Sequence, residues 1–230
     1  MNDAILLVRE EDQAGTGFLE KLTASLGFAV HRVSTTGEAR AALQRRGEQA
    51  RLLLVADGVA DDLRAPLETA RKAGAACIRV THGAAAGDAA GFDAICTDAD
   101  LEMALLELLA RNGYLAISVR EASGIAAAIG QQTLGDKSFA EELIRALVAS
   151  TESDLAALRA AGDDVGTIRA VAHRLKSSAH FIDCRSYRAL AQRLETAARG
   201  EDRRIVTALL RIFIPATENL YALLKGNLPA

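Results

Sequence analysis

The sequence predicts two domains of different class, a doubly wound α/β domain over residues 1–113 and an all-α four-helix bundle over residues 114–230. Three observations carry this. Short continuous apolar runs alternate with helix-periodic segments through the first half, the pattern of a mostly parallel sheet with helices packed on it. After residue 113 such runs cease, and long segments with apolar residues every three or four positions replace them. Asn112 and Gly113 mark the change as a turn, and no Pro- or Ser-rich linker follows up to Ser118, so the junction is expected to be close.

Taken in order, residues 4–8 are wholly apolar, as a strand buried on both faces would be. A polar loop over residues 9–17 follows. Phe18, Leu19, Leu22 and Leu26 then give helical spacing, with Gly27 as its stop. Residues 28–33 read as the second strand. Residues 34–37 (Ser-Thr-Thr-Gly) supply a turn and cap before a helix that begins at residues 39–43. Residues 52–56 form a third strand, 63–73 a helix, 76–81 a fourth strand, 92–97 a short fifth strand and 101–111 a strongly apolar helix.

In the second half, residues 117–129 give a short lead-in helix. Residues 137–161 carry Phe139, Leu143, Leu147, Leu155 and Leu158 on one stripe, with Gly162 as the stop and Asp163 or Asp164 as the next cap. A second helix spans about residues 164–182, and a third spans 185–198, closed by Gly200. A fourth runs over 202–224, where Pro215 is expected to kink it or split it. Short connections between long striped helices give an up-down bundle.

Half of the residues are hydrophobic and a quarter are charged, enough for packed cores, but aromatics are scarce and Trp is absent. The core must be built from Ala, Leu, Val and Ile. The formal net charge of −3 gives no basic face for nucleic acid. Cys77, Cys96 and Cys184 are far apart, odd in number and without metal-ligand spacing, so they read as buried thiols in a reducing compartment. No apolar run reaches the roughly 18 residues of a membrane span. The residues after Met1 do not form a basic, then apolar, leader. The expectation is a cytoplasmic protein with no membrane or nucleic-acid partner.

The chemistry concentrates at residues 172–179 (Ala-His-Arg-Leu-Lys-Ser-Ser-Ala). Val165, Ile168, Val171, Ala172, Leu175, Ala179 and Ile182 form the apolar stripe of that helix, and His173 falls off its centre. Lys176 and Ser177 follow at three and four residues, so the three side chains share one face. His180 continues it and reads as a surface or packing histidine. An imidazole beside an ammonium and a hydroxyl suits reaction with an anion: the ring as nucleophile, the lysine stabilising the incoming negative charge.

This stretch resembles the His-x-Leu-Lys-small-Ser signature of histidine phosphotransfer (HPt) domains. The resemblance extends to the flanks: Gly135-Asp136 with Phe139 and Leu143, Leu155 and Leu158, Asp163-Asp164, then Leu190, Leu194-Glu195, residues 197–201 and Leu209-Leu210. It implies a relay in which His173 accepts a phosphoryl group from the aspartate of one receiver domain and passes it to another. Lys176 would stabilise the phosphoryl oxygens and Ser177 could hydrogen-bond them. The partners would be the receiver domains of a hybrid histidine kinase and of a response regulator. Mg²⁺ would sit on the partner receiver, and this chain would need no cofactor or metal of its own.

The first half resembles a receiver domain of that same two-component system. The resemblance rests on the turn at residues 27–30, on Thr36-Gly37-Glu38-Ala39, on Asp57 where receivers keep the phospho-accepting aspartate, and on Thr81 where they keep a hydroxyl. Two positions depart from it. Arg9 stands at the first position of the acidic pair, leaving Glu10 as the second, with Glu11 and Asp12 next to it. Asp98 stands nearest to where the family's lysine would be. A cation in place of a Mg²⁺ ligand, and an anion in place of the lysine, both oppose phosphoryl chemistry. The half therefore reads as a pseudo-receiver with a vestigial site at Asp57, Glu10 and Thr81, acting as a docking or regulatory module.

No ATP-binding glycine-rich loop is present, so the chain is expected to be a phosphohistidine carrier and not a kinase. A different reading is a non-catalytic module that modulates a histidine kinase or response regulator; a buried His173 would favour it. A small hydrolase using His173 with Asp57 or a thiol lacks a nucleophile, base and orienter on adjacent elements.

Overall fold

The computed structural model describes residues 1–8, 16–56, 59, 62–81 and 90–228. The chain divides into two compact units, one of residues 2–24 with 28–112, the other of residue 1, residues 25–27 and residues 113–230.

In the first unit five parallel strands, β1 (Asn2–Leu7), β2 (Phe28–Val33), β3 (Ala50–Val55), β4 (Ala76–Thr81) and β5 (Ala94–Thr97), form one sheet in the order β2-β1-β3-β4-β5. That order reverses direction between β1 and β3, the arrangement of the flavodoxin-like doubly wound fold. The helices are α1 (Gly17–Ser25), α2 (Thr36–Arg46), α3 (Arg64–Lys72) and α4 (Leu101–Arg111), with a 3₁₀ turn at Gly47–Gln49. Ile5, Leu7, Leu53, Val55 and Cys77 point to one face and pack with Ala39, Leu43, Leu67 and Ala70 of α2 and α3. Their neighbours Ala4, Leu6, Leu52, Leu54 and Ile78 point to the opposite face and are buried as well. Burial on both faces is why these strands read as continuous apolar runs. β1 and β3 begin two residues earlier than the apolar runs do, and β5 begins two residues later. Buried Asp3 is admitted to β1 because His31 and Arg46 pair with its two oxygens at 2.8 and 2.9 Å.

The second unit is helical: α5 (Val119–Gln132), α6 (Lys137–Ala160), α7 (Val165–Phe181), α8 (Arg185–Arg199) and α9 (Arg203–Gly226). α6 to α9 form a closed ring of neighbours, α6 on α7, α7 on α8, α8 on α9 and α9 on α6, and α5 packs on α6 and α7. Among the described residues no helix is long and apolar enough to cross a membrane.

Four of the five helix starts are capped by the side chain of the residue before them. Asp136 accepts from the Phe139 N–H, Asp164 from Gly166 and Thr167, and Asp202 from Ile205. The α5 start is a capping box between Ser118 and Glu121, and α5 has 14 residues, beginning two and ending three residues later than the expected 117–129. Two expectations are corrected. α9 is one continuous helix through Pro215, where the sequence predicts a kink or a split, so the split does not occur. Ile212, Phe213, Ala216 and Thr217 are buried on both sides of the proline, and this packing holds the helix through one missing N–H. Gly200 does not take the left-handed turn that closes α8; it is right-handed at φ −79°, and Glu201 adopts φ 55°. Gly162, by contrast, does end α6 at φ 52°, as its sequence position predicts.

Candidate functional site

His173 lies in the middle of α7, pointing away from the buried stripe of Ile168, Val171, Ala172, Leu175 and Ala179. Its side chain is 62% exposed. Its Nδ1 lies 3.2 Å from Oε1 of Glu195 on α8. An ionised carboxylate only accepts, so Nδ1 carries the proton and donates it. In the neutral ring this tautomer leaves the lone pair on Nε2, on an exposed side chain held by Glu195.

Glu195 is the centre of the site. It is buried, with 6% of its side chain exposed, and its second oxygen accepts from the Lys176 ammonium at 2.6 Å. Arg199, one turn on, donates to Oε1 at 3.2 Å. The Lys176 hydrogen bond, aided by that from the His173 ring, holds the Glu195 carboxyl below the ordinary carboxylate range against the opposing effect of burial. Lys176 also donates to the Gln192 side-chain oxygen at 3.0 Å. Two of its three N–H groups are thus committed to α8, and the third is available to a ligand beside His173.

Ser177 lies on the same face and is exposed, but its hydroxyl donates to the His173 backbone carbonyl at 3.2 Å. Ser178 does the same to Arg174. On the other side of His173, an open groove is lined by Ser150, Ser153 and Asp154 of α6 with His173, Arg174, Ser177 and Ser178 of α7. Its small side chains permit close approach to the ring. Asp154 is buried and takes two donors of the Arg174 guanidinium, Nε at 2.9 Å and Nη2. His180 is exposed, with its Nδ1 3.3 Å from Arg188, and takes no part in the Glu195 network.

His173, Lys176 and Ser177 are therefore together on one exposed face. Glu195 and Gln192 complete the arrangement, and sequence reasoning gave neither a role at the site. The available signal was Glu195 itself, a carboxylate inside the buried stripe of Leu190, Ala191, Leu194 and Ala198; a charge at a core position demands a partner.

In the first unit Thr81 is buried at the end of β4, and its hydroxyl donates to the Cys96 carbonyl at 3.4 Å. Asp57 and Glu10 lie outside the described residues, as do Arg9, Glu11 and Asp12. Asp98 follows the end of β5. Cys77, Cys96 and Cys184 are free, buried thiols. Burial pushes them up to about 12, 11 and 12 respectively, so they stay protonated and unreactive near neutrality.

No curated protein matches the chain. The family model of the Hpt domain matches residues 142–226, from within α6 to the last residue of α9, so the match holds His173, Lys176, Ser177 and Glu195. This part of the chain is similar to an Hpt domain, and the match supports histidine phosphotransfer in a phosphorelay as the chemistry of the bundle.

Proposed function

We propose that the chain relays a phosphoryl group between the aspartates of partner receiver domains through Nε2 of His173. The observation that carries this reading is the exposed ring whose Nδ1–H is held by buried Glu195. The Nε2 lone pair attacks the phosphorus of an aspartyl phosphate. An N–P bond forms as the P–O bond to the partner's aspartate breaks, and the carboxylate leaves as its own anion. The imidazole keeps its Nδ1 proton on Glu195, and reversal toward a second receiver passes the group on. Lys176 offers its remaining N–H to the phosphoryl oxygens. Ser177 serves chiefly by being small; its hydroxyl has to give up the His173 carbonyl before it can bond a phosphoryl oxygen. Mg²⁺ belongs to the partner receiver, where the electrostatic demand is greatest.

The first unit is proposed as a docking or regulatory module that takes no phosphoryl group itself. Arg9 and Asp98, each of the wrong sign for a receiver site, support this. The exposure of His173 weighs against a purely non-catalytic binding module. Three unreactive thiols suit a reducing, cytoplasmic setting.

The test is transfer from a set of purified phosphorylated receivers to the wild-type chain, His173→Gln and Asp57→Ala. Label that reaches wild type and Asp57→Ala but not His173→Gln is the expected result. Loss of label in Asp57→Ala would restore the first unit as an active receiver. No transfer from any donor to folded protein would favour the binding module.

A further inference from the structure

The face around His173 carries one sign of charge at its surface. Arg169 lies one turn before His173 on α7 and is exposed. Arg174 and Lys176 flank the ring, and Arg188 and Arg199 stand exposed on α8 toward its two ends. The two carboxylates among them are both buried: Glu195 is 6% exposed beneath Lys176 and Arg199, and Asp154 is 5% exposed beneath Arg174. Their role is to fix the cations, and the atoms that meet solvent are the cations' own. The exposed acids on α7, α8 and their connections, Asp163, Asp164, Asp183, Glu201 and Asp202, lie at the helix ends; Asp164 is about 13 Å from His173 along the axis. The whole chain has a formal net charge of −3, so this face departs from the rest.

We infer that the cations around His173 form a collar that selects and steers an acidic protein partner: the carboxylate-rich rim of a receiver that surrounds its aspartyl phosphate. The inference rests on the phosphotransfer reading and adds the chemistry of the partner's surface to it. Long-range attraction of this kind raises association rates and fades with added salt, and it discriminates against partners whose rim is neutral or basic. Arg169 and Arg188 touch neither of the two buried carboxylates nor Lys176, so they contribute to docking without holding the reacting ring.

The test uses the full chain, a panel of purified receiver domains and two readouts, equilibrium binding and phosphoryl transfer, at 50 and 500 mM NaCl. The variants are Arg169→Ser/Arg188→Ser and the reversal Arg169→Glu/Arg188→Glu; the salt series on wild type needs no variant and so is immune to misfolding. The inference expects wild-type association with its preferred receiver to slow about tenfold or more between the two salt concentrations. The Ser pair should lose part of that dependence, and the Glu pair should bind more weakly at low salt than at high salt. His173→Gln should bind as wild type does. Transfer that is insensitive to salt and to both arginine pairs would overturn the collar and leave the phosphotransfer reading standing. Salt-dependent binding without labelling of His173 would do the reverse. A chain that neither binds nor is labelled by any receiver would overturn both.

Discussion

Glu195 holds Lys176 and His173 with separate oxygens, the ammonium at 2.6 Å and the imidazole at 3.2 Å, so one buried carboxylate fixes both side chains of the proposed transfer. Its removal should therefore be felt at the ring as well as at the lysine. Glu195→Gln keeps the shape and can still accept from Nδ1, but it loses the charge assistance, worth about 1.5–3 kcal/mol. Single-turnover transfer to His173 should slow by roughly tenfold to a hundredfold. An unchanged rate would mean that the ring is oriented without Glu195.

Lys176→Met should do two things at once. It removes the N–H available to a phosphoryl group, and it leaves Glu195 with the His173 ring and Arg199 alone. Because Lys176 is 22% exposed and Arg199 remains, the stability loss should be about 1–2 kcal/mol, below that for a fully buried pair. Transfer should slow more than Glu195→Gln slows it, since the phosphoryl contact is lost as well. Urea unfolding and transfer kinetics on the same sample separate the two effects.

Acid should weaken the bundle through two carboxylates. Burial acts to raise the Glu121 pKa, but four hydrogen bonds from Ser186 and Ser118 outweigh it and hold the group below its ordinary value; Glu195 is held low by Lys176 and His173. A folded pKa below the unfolded one means that the unfolded chain binds more protons, so stability rises with pH. The contribution is complete above the unfolded value of about 4.3 and is lost as pH falls through it toward the lower folded pKa. The urea midpoint of the bundle should fall between about pH 5 and 3, and Glu121→Gln with Glu195→Gln should flatten that fall. All three tyrosines lie at residues 114, 187 and 221, and Trp is absent, so tyrosine emission reports on the second unit. A midpoint equally acid-sensitive in the double variant would assign the effect to other groups.

Pro215→Ala should stabilise the bundle. It restores the N–H that Pro215 withholds from the helix, a defect worth up to about 3 kcal/mol in a helix interior. The greater freedom of the unfolded chain offsets about 0.4–1 kcal/mol of this. A net gain of about 1–2 kcal/mol in urea unfolding is expected. A loss would show that the proline ring packs in a way alanine cannot replace.

The elements were legible wherever local pattern and tertiary demand agree. The apolar runs of β1 and β3, the stripe of α7, the cap expected within residues 34–37 and found at Thr35, and the cap expected at Asp163 or Asp164 and found at Asp164 show that agreement. The split at Pro215 does not occur because packing on both sides of the proline holds the helix together. Gly200 was misread because the left-handed residue that ends α8 is the next one, Glu201. Of the site, His173, Lys176 and Ser177 are neighbours on one helix and could be read from spacing alone. Glu195 is 22 residues from His173, and only the pairing of α7 with α8 brings them together. The same is true of Asp154 and Arg174, twenty residues apart and joined by the contact of α6 with α7.

The Glu121–Ser186 contact bears on where the helical unit begins. The Glu121 carboxylate closes its own helix through Ser118 and, with Oε1, accepts the Ser186 backbone N–H at 2.9 Å in the first turn of α8. Gln192 and Glu195 stand further along that same α8. The family match opens at residue 142 and omits α5 altogether. A fragment trimmed to the matched residues would expose the α8 amides and the start of the helix that holds the imidazole. The smallest piece expected to retain wild-type chemistry thus starts before Ser118, and α5 acts as a splint on the start of α8.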